Sequence, residues 1–490
     1  MKRILLSLSM ICIASVGHAQ YRNSRIQDSF NQFRKNLYEE FEEYRSQIYE
    51  EYLNFLLDPW KEFEAEEPVP QPKEVPVPPI VIPEEDKEKE QEDSLIVIEE
   101  LVKPEPILPQ PEPIKPFDEV PTIEPKKVDF SFYGTTETVR YDDKYSIKLN
   151  ELDENDIAEA MKTLMDESYS NMIVDCLQIR KTRQLCDWAY LQMLKSLAEK
   201  IYGEKTNEAI LLQAYLYLQS GYKMRLAKDT KKLYMLYACD YIIYNIDSYI
   251  LDDNARYYCM EKLPERLSVC QAKFPNERSL SLAFRQQNKF DYDLSGSKIV
   301  SSRNIRGLKM EVRVNLNLMD FYTDYPTSYF GENIMTRWAM YANVPMDSLV
   351  TYQIYPVIEE KLKGMSELEK ANALLNMIQT GLEYEFDDKV WGHDRAFFSE
   401  ETLFYPFCDC EDRSILYTHL IRDLMGLDCV LIYYPGHLAS AVNFTEDVKG
   451  DYIQINGKKF VICDPTYIGA PVGMSMPGMD NKTANLILLE

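Results

Sequence analysis

FYPFCDCEDRSILYTHLIRDLMG, residues 404–426, decides how the C-terminal part of this chain is read. Cys408 and Cys410 stand one residue apart among acids, and a helical pattern follows at once. Asp409 as N-cap, with Asp412 three residues on, has capping-box spacing and makes Cys410 the first helical residue. Tyr417, Leu420, Ile421 and Leu424 then form the packed face, and Cys410, seven residues before Tyr417, points its sulfur toward it. A thiol at a helix N-terminus meets unpaired backbone N–H groups and the positive end of the helix dipole, both of which favour thiolate. Asp409, Glu411 and Asp412 oppose this, so a neighbouring imidazole is needed to make the sulfur a nucleophile.

Of the four histidines in the chain, His18 lies in the N-terminal apolar segment. His393 precedes the helix, and His419 sits within it on a different face from Cys410. His437 is better placed. It follows the strand pattern DCVLIYY (428–434) and the Pro435-Gly436 turn, and it starts a strand on which the small Ala439 and Ala441 share its face and would admit a helix N-terminus. KKFVICDPTY (458–467) ends a strand at Asp464, an acid able to hold the His437 imidazole in the correct tautomer. One geometric condition applies. Asn456-Gly457 is a strong hairpin signal, and a plain meander through 437–444, 451–455 and 458–464 would put His437 and Asp464 roughly 20 Å apart. The spacing therefore predicts that residues 445–450 cross over, or that a bulge reorders the strands, so that the Asp464 strand meets the His437 strand antiparallel.

Cys at a helix start, His at a strand start after Gly, and Asp at a strand end before Pro-Thr together resemble the transglutaminase-like superfamily of papain-like cysteine enzymes. The resemblance covers roughly residues 366–490 and rests on CEDRSIL, GHLASAV and CDPTY. It implies Cys410 as nucleophile, His437 as base and acid, Asp464 as orienting acid, and Asp412 as a structural acid. The family includes protein cross-linking enzymes, peptidases, de-glycosylating amidases and inactive members, so it implies acyl transfer at an amide. The expected function is a cysteine-dependent amide hydrolase or acyltransferase working through a thioester, with a protein, peptide or cell-envelope amide as substrate and hydrolysis ahead of cross-linking. The alternative is a catalytically inactive envelope scaffold or binding protein acting through its N-terminal helix and Pro-rich arm. No cofactor or metal is expected: Cys408, Cys410, Cys429 and Cys463 lack the paired spacing of a zinc site, and Cys429 and Cys463 read as buried strand cysteines. Oxyanion donors would come from the Cys410 backbone N–H, with Gln379, Trp391 and Tyr405 as side-chain candidates.

Outward from this region the fold class reads α+β, with the transglutaminase-like domain at 326–490. Its first helical signal is Ser366 with Glu369 at capping-box spacing, followed by the stripe Leu368, Ala371, Leu375, Ile378 and Leu382. Residues 128–325 read as an α+β accessory domain. Helical patterns lie near 153–168 and 182–219, and strands at KMRLA (223–227) and EVRVNLNL (311–318), where Val312, Val314, Leu316 and Leu318 would line one sheet face. Fifteen of the chain's 26 prolines fall in 66–127, interleaved with Glu and Lys. This stretch is expected to be a disordered linker, interrupted by a short docking strand at LIVIEELV (95–102). Residues 20–65 carry apolar residues at steps of three or four from Ile26 to Phe55, the period of one amphipathic helix that docks on a protein partner or on the chain's own body.

Residues 1–19 have the three-part layout of a secretory signal, with cleavage before Gln20, so an exported periplasmic or secreted protein is expected. No other stretch comes close to the ~20 apolar residues of a membrane span. A net charge of −26 argues against nucleic acid as partner, because phosphates are repelled. An oxidising compartment would favour local bridges such as Cys176–Cys186 or Cys259–Cys270.

Overall fold

The hairpin turn expected at Asn456-Gly457 forms, with φ of 50° and 82°, and joins Asp451–Ile455 antiparallel to Lys458–Cys463. The strands before it do not form a meander. The chain crosses over between Asn443 and Asp451, so that Lys458–Cys463 lies between Asp451–Ile455 and His437–Asn443 and pairs antiparallel with the latter, Ser440 opposite Cys463. This is the rearrangement that the positions of His437 and Asp464 require. Asp428–Tyr434 adds on the far side of His437–Asn443, with Tyr434 opposite His437 across the Pro435-Gly436 turn, and Asn485–Leu488 follows it.

The computed structural model describes residues 60–490 apart from 74, 88–90, 115–118, 120–125, 142–145, 166–169 and 275. The signal segment 1–19 and nearly all of the amphipathic helix 20–65 lie outside the described residues. At the C-terminal end of that helix, Lys61–Glu64 is a strand. The described chain is α+β, and Pro59–Glu490 make one compact unit. Among the described residues no helix is long and apolar enough to cross a membrane.

The C-terminal sheet has seven strands, and its inner five are antiparallel. Alternating residues of these strands, including Ile432, Ala439, Ala441, Phe460 and Ile462, form a buried cluster, as the period of two requires. No residue of the Cys410 helix takes part in that cluster, so the smallness of Ala439 and Ala441 serves the sheet's own packing, not the approach of the helix. The helix, Cys410–Met425, packs on the His437–Asn443 strand and on the Glu367–Gly381 helix. Its Ser414 hydroxyl donates to the Leu438 carbonyl (2.8 Å). The Glu367–Gly381 helix starts with the expected capping box: Ser366 Oγ accepts from Glu369 N–H (3.2 Å), and Glu369 accepts from Ser366 N–H (2.8 Å).

A second sheet of six antiparallel strands includes Met224–Lys228, the expected KMRLA strand. Helices Asp187–Tyr202 and Asn207–Gln219 pack together, and the second packs on the sheet. The expected strand at 311–318 is only half right. Lys309–Val312 is a strand, but Asn315 caps a helix, Leu316–Asp324, by accepting from Asn317 N–H (3.2 Å). Asn is among the best N-cap residues, and its capping outweighs the alternation of apolar residues. All nine cysteines from Cys176 to Cys463 are thiols, so neither proposed local bridge forms.

The expectation of disorder over 66–127 fails where the segment pairs with the sheets. Ser94–Leu95 and Glu100–Val102, both from the LIVIEELV region, add in parallel to the two edges of the seven-stranded sheet. Ile80–Val81 pairs with Tyr467–Ile468, and Lys61–Glu64 forms an edge of the six-stranded sheet. Ile82, Ile96 and Val102 are buried along the way. Composition measures what a segment can bury by itself; here it borrows cores and strand edges already built by the rest of the chain. Proline is compatible with such edges, where an N–H on the outer side is not needed.

Candidate active site

His437 Nε2 lies 2.9 Å from Asp464 Oδ2, and both side chains are buried. The carboxylate can only accept, which assigns the proton to Nε2 and leaves the Nδ1 lone pair unused. Nδ1 is buried and has no hydrogen-bond partner among the described residues. Asp464 is itself fixed by the Asp-Pro-Thr-Tyr turn: its other oxygen accepts from the N–H groups of Thr466 (2.8 Å) and Tyr467 (3.1 Å). One carboxyl thus divides its two oxygens between the turn and the imidazole.

The turn is held from outside by Gln379. Its Nε2 donates to the carbonyls of Asp464 (3.1 Å), Tyr467 (2.8 Å) and Ala470 (3.1 Å), and its Oε1 accepts from Gly469 N–H (3.1 Å). With both ends spent on the turn, Gln379 is a clamp and not the oxyanion donor considered from sequence. Trp391 and Tyr405 are likewise packing residues, set edge to face at 4.8 Å with Arg395 above them. Arg413, fully buried in the helix, donates to the Leu382 carbonyl (2.9 Å) and reaches the Pro465 carbonyl (3.5 Å). It ties the helix to the same turn.

Cys410 opens its helix as expected, and Asp412 performs two main-chain tasks there. It accepts from Asp409 N–H (3.1 Å) and from Phe397 N–H (2.9 Å). The Cys410 thiol donates to Glu411 Oε2 (3.1 Å). Burial first, then the carboxyls of Glu411 and Asp409, push that thiol well above its ordinary pKa, while the Leu438 backbone N–H acts in the opposite sense. Cys408 is turned away, its sulfur against the Glu383 carbonyl (3.6 Å). Cys429 and Cys463 are buried strand residues, as read from sequence.

Cys410 and His437 share a cavity of about 210 Å³. Three further sets of residues line it, and of these sequence reasoning had singled out only Asp409 and Glu411. The first is Trp338, stacked on Tyr433 at 4.9 Å; its indole Nε1 is buried without a partner among the described residues. The second is the carboxyl group of Asp387, Asp394, Asp409 and Glu411, with Arg337 paired to Asp394. Burial and the Glu411 charge push Asp387 up to about 8. Burial would also raise Asp394, but the Arg337 guanidinium holds it below the usual range. The third is the Pro-rich strap: Pro70, Gln71 and Pro76 form one wall. Gln71 Nε2 donates to the Asp394 carbonyl (2.7 Å) and carboxylate (2.9 Å), and Val77 N–H donates to the Gly436 carbonyl (2.8 Å). His393 stands on the wall with Nδ1 against the Trp391 carbonyl (3.0 Å), and His419 is buried within the helix.

No family model, curated protein or solved structure matches this chain.

Proposed function

We propose that the chain is a transglutaminase-like, papain-like cysteine enzyme of the exported compartment that hydrolyses or transfers acyl groups at protein, peptide or cell-envelope amides. The observation that carries this reading is the buried His437–Asp464 pair, with Nδ1 unpartnered among the described residues, in a cavity lined by both His437 and Cys410 at its helix start. Cys410 Sγ adds to the amide carbonyl as its proton passes to His437 Nδ1. The C–N bond then breaks, and the amine leaves with that proton. Water, deprotonated by His437, attacks the thioester and restores the thiol; an amine in place of water gives transfer. Asp464 keeps the imidazole in the tautomer that accepts at Nδ1. The oxyanion is received by the Cys410 backbone N–H, with the unpartnered Trp338 indole N–H as second donor.

A second reading, an inactive scaffold, is favoured by one observation: the resting thiol is hydrogen-bonded to an acid and not to the imidazole. Alkylation by iodoacetamide across pH 5–9, with peptide mapping, separates the two. Cys410 is expected to be modified fastest and to slow at least tenfold in His437→Ala. Equal, slow modification of Cys410 in both proteins would overturn the enzyme reading.

A further inference from the structure

We propose that residues 69–73 and 75–77 of the Pro-rich strap occupy, in cis, a groove built for an extended proline-bearing polypeptide, and that this self-occupation closes the Cys410 cavity in the resting protein. The proposal deepens the acyl-transfer reading by naming what the site admits, and the purpose of the groove rests on that reading. Pro70, Gln71, Pro72, Lys73 and Pro76 line the same cavity as Cys410 and His437. A stretch of the chain itself therefore stands where a substrate has to enter.

The contacts at the two rims are those by which an extended peptide is read. On one rim stands Asn245, in the turn between Tyr241–Ile243 and Ser248–Ile250. Its N–H donates to the Val69 carbonyl (2.9 Å), and its Oδ1 accepts from Gln71 N–H (3.4 Å). On the other rim the carbonyl of Gly436, the neighbour of His437, accepts from Val77 N–H (2.8 Å). The Val75 carbonyl comes so close that a Cβ on Gly436 would lie 2.2 Å from it. Between the rims the Gln71 carboxamide donates to the carbonyl and the carboxylate of Asp394. Pro70 and Pro72 on either side have no N–H to satisfy, and proline keeps the chain extended at little entropic cost, as in other grooves that take proline-rich peptides. The groove thus asks for main-chain bonds at both ends, a carboxamide between them and imino acids beside it.

The same segment is the part of the strap that can leave. None of the described residues from 67 to 79 is buried, whereas Ile82, Ile96 and Val102 farther along are. Strands Lys61–Glu64 and Ile80–Val81 pin the segment on either side. It can therefore lift from the cavity without carrying a core residue into water. Pinned ends also give it a local concentration on the order of 1 mM, against which a free peptide has to compete.

Closure at that concentration requires the segment's own affinity for the groove to have a Kd below about 1 mM. The full chain with residues 69–77 replaced by Gly and Ser is titrated against a labelled synthetic peptide of residues 67–79, EPVPQPKEVPVPP, by fluorescence polarisation. The replaced chain is expected to bind with a Kd below about 1 mM, and the wild type at least tenfold more weakly. No binding by the folded replaced chain up to that concentration overturns the proposal, and so does equal binding to both chains. Should the replaced chain fail to fold, Gln71→Ala in the full chain keeps the test. N-ethylmaleimide is then expected to modify Cys410 at least threefold faster than in wild type, and an unchanged rate refutes the closure. Neither readout is turnover. Peptide binding together with equal Cys410 alkylation in wild type and His437→Ala supports the groove and refutes the enzyme reading alone; His437-dependent alkylation without peptide binding refutes this proposal alone.

Discussion

Replacing Gln379 with Ala removes the clamp on the turn that carries Asp464. The side chain has two N–H donors shared among three carbonyls and one oxygen that accepts from Gly469. Counting three effective bonds at about 1 kcal/mol each gives a loss of about 3 kcal/mol. Because 1.4 kcal/mol is a factor of ten, opening of the turn should become about 10²-fold more frequent. The reporters are the amides of Thr466 and Tyr467, which bond to Asp464 Oδ1 and not to Gln379. Native-state hydrogen exchange at these two amides should quicken by about that factor, while the Asp428–Tyr434 strand keeps its protection. Exchange at Thr466 and Tyr467 changed by less than about threefold would refute the reasoning, since it would mean that the Asp-Pro-Thr-Tyr turn holds itself.

Trp338→Phe keeps the stack on Tyr433 but removes the indole N–H, and turnover on an amide substrate should fall by about 10²-fold with little change in KM. Gly436→Ala places a Cβ 2.2 Å from the Val75 carbonyl at a φ of +79°. The strap should lift there, with faster exchange of the Val77 amide and faster alkylation of Cys410. Glu105, buried in the strap, is raised from its ordinary value near 4.5 to about 7, by burial first, against the opposing pull of Arg285. Its protonated form suits the folded state, so its contribution is complete below the unfolded pKa near 4.5 and is lost as pH rises through about 7. Limited proteolysis near residues 100–108 should therefore be faster at pH 8 than at pH 5 after correction for protease activity.

What was legible in the sequence was local or forced by chemistry. Ser366 with Glu369 and Asn456-Gly457 carry their meaning within a few residues, and the strand crossover followed from asking His437 and Asp464 to meet. Gln379 was misjudged because a helical glutamine announces nothing about which distant carbonyls it will face; its partners lie about ninety residues away. Trp338 and Asp387 were passed over for a similar reason: their place on the cavity wall depends on packing between elements. The strap was misread because composition gauges a segment's own hydrophobic content, whereas Ile82, Ile96 and Val102 are buried in cores supplied by the rest of the chain.

The pairing of Glu100–Val102 with Asn485–Leu488 joins two segments far apart along the chain. That edge of the sheet cannot close before Asn485–Leu488 has been made and has left the ribosome. Until then Glu100–Val102 lacks this partner strand, and Val102, buried in the folded chain, stays uncovered. Closure thus has a large loop to bring together, which slows folding and leaves an interval in which an open strand can pair with a neighbouring chain.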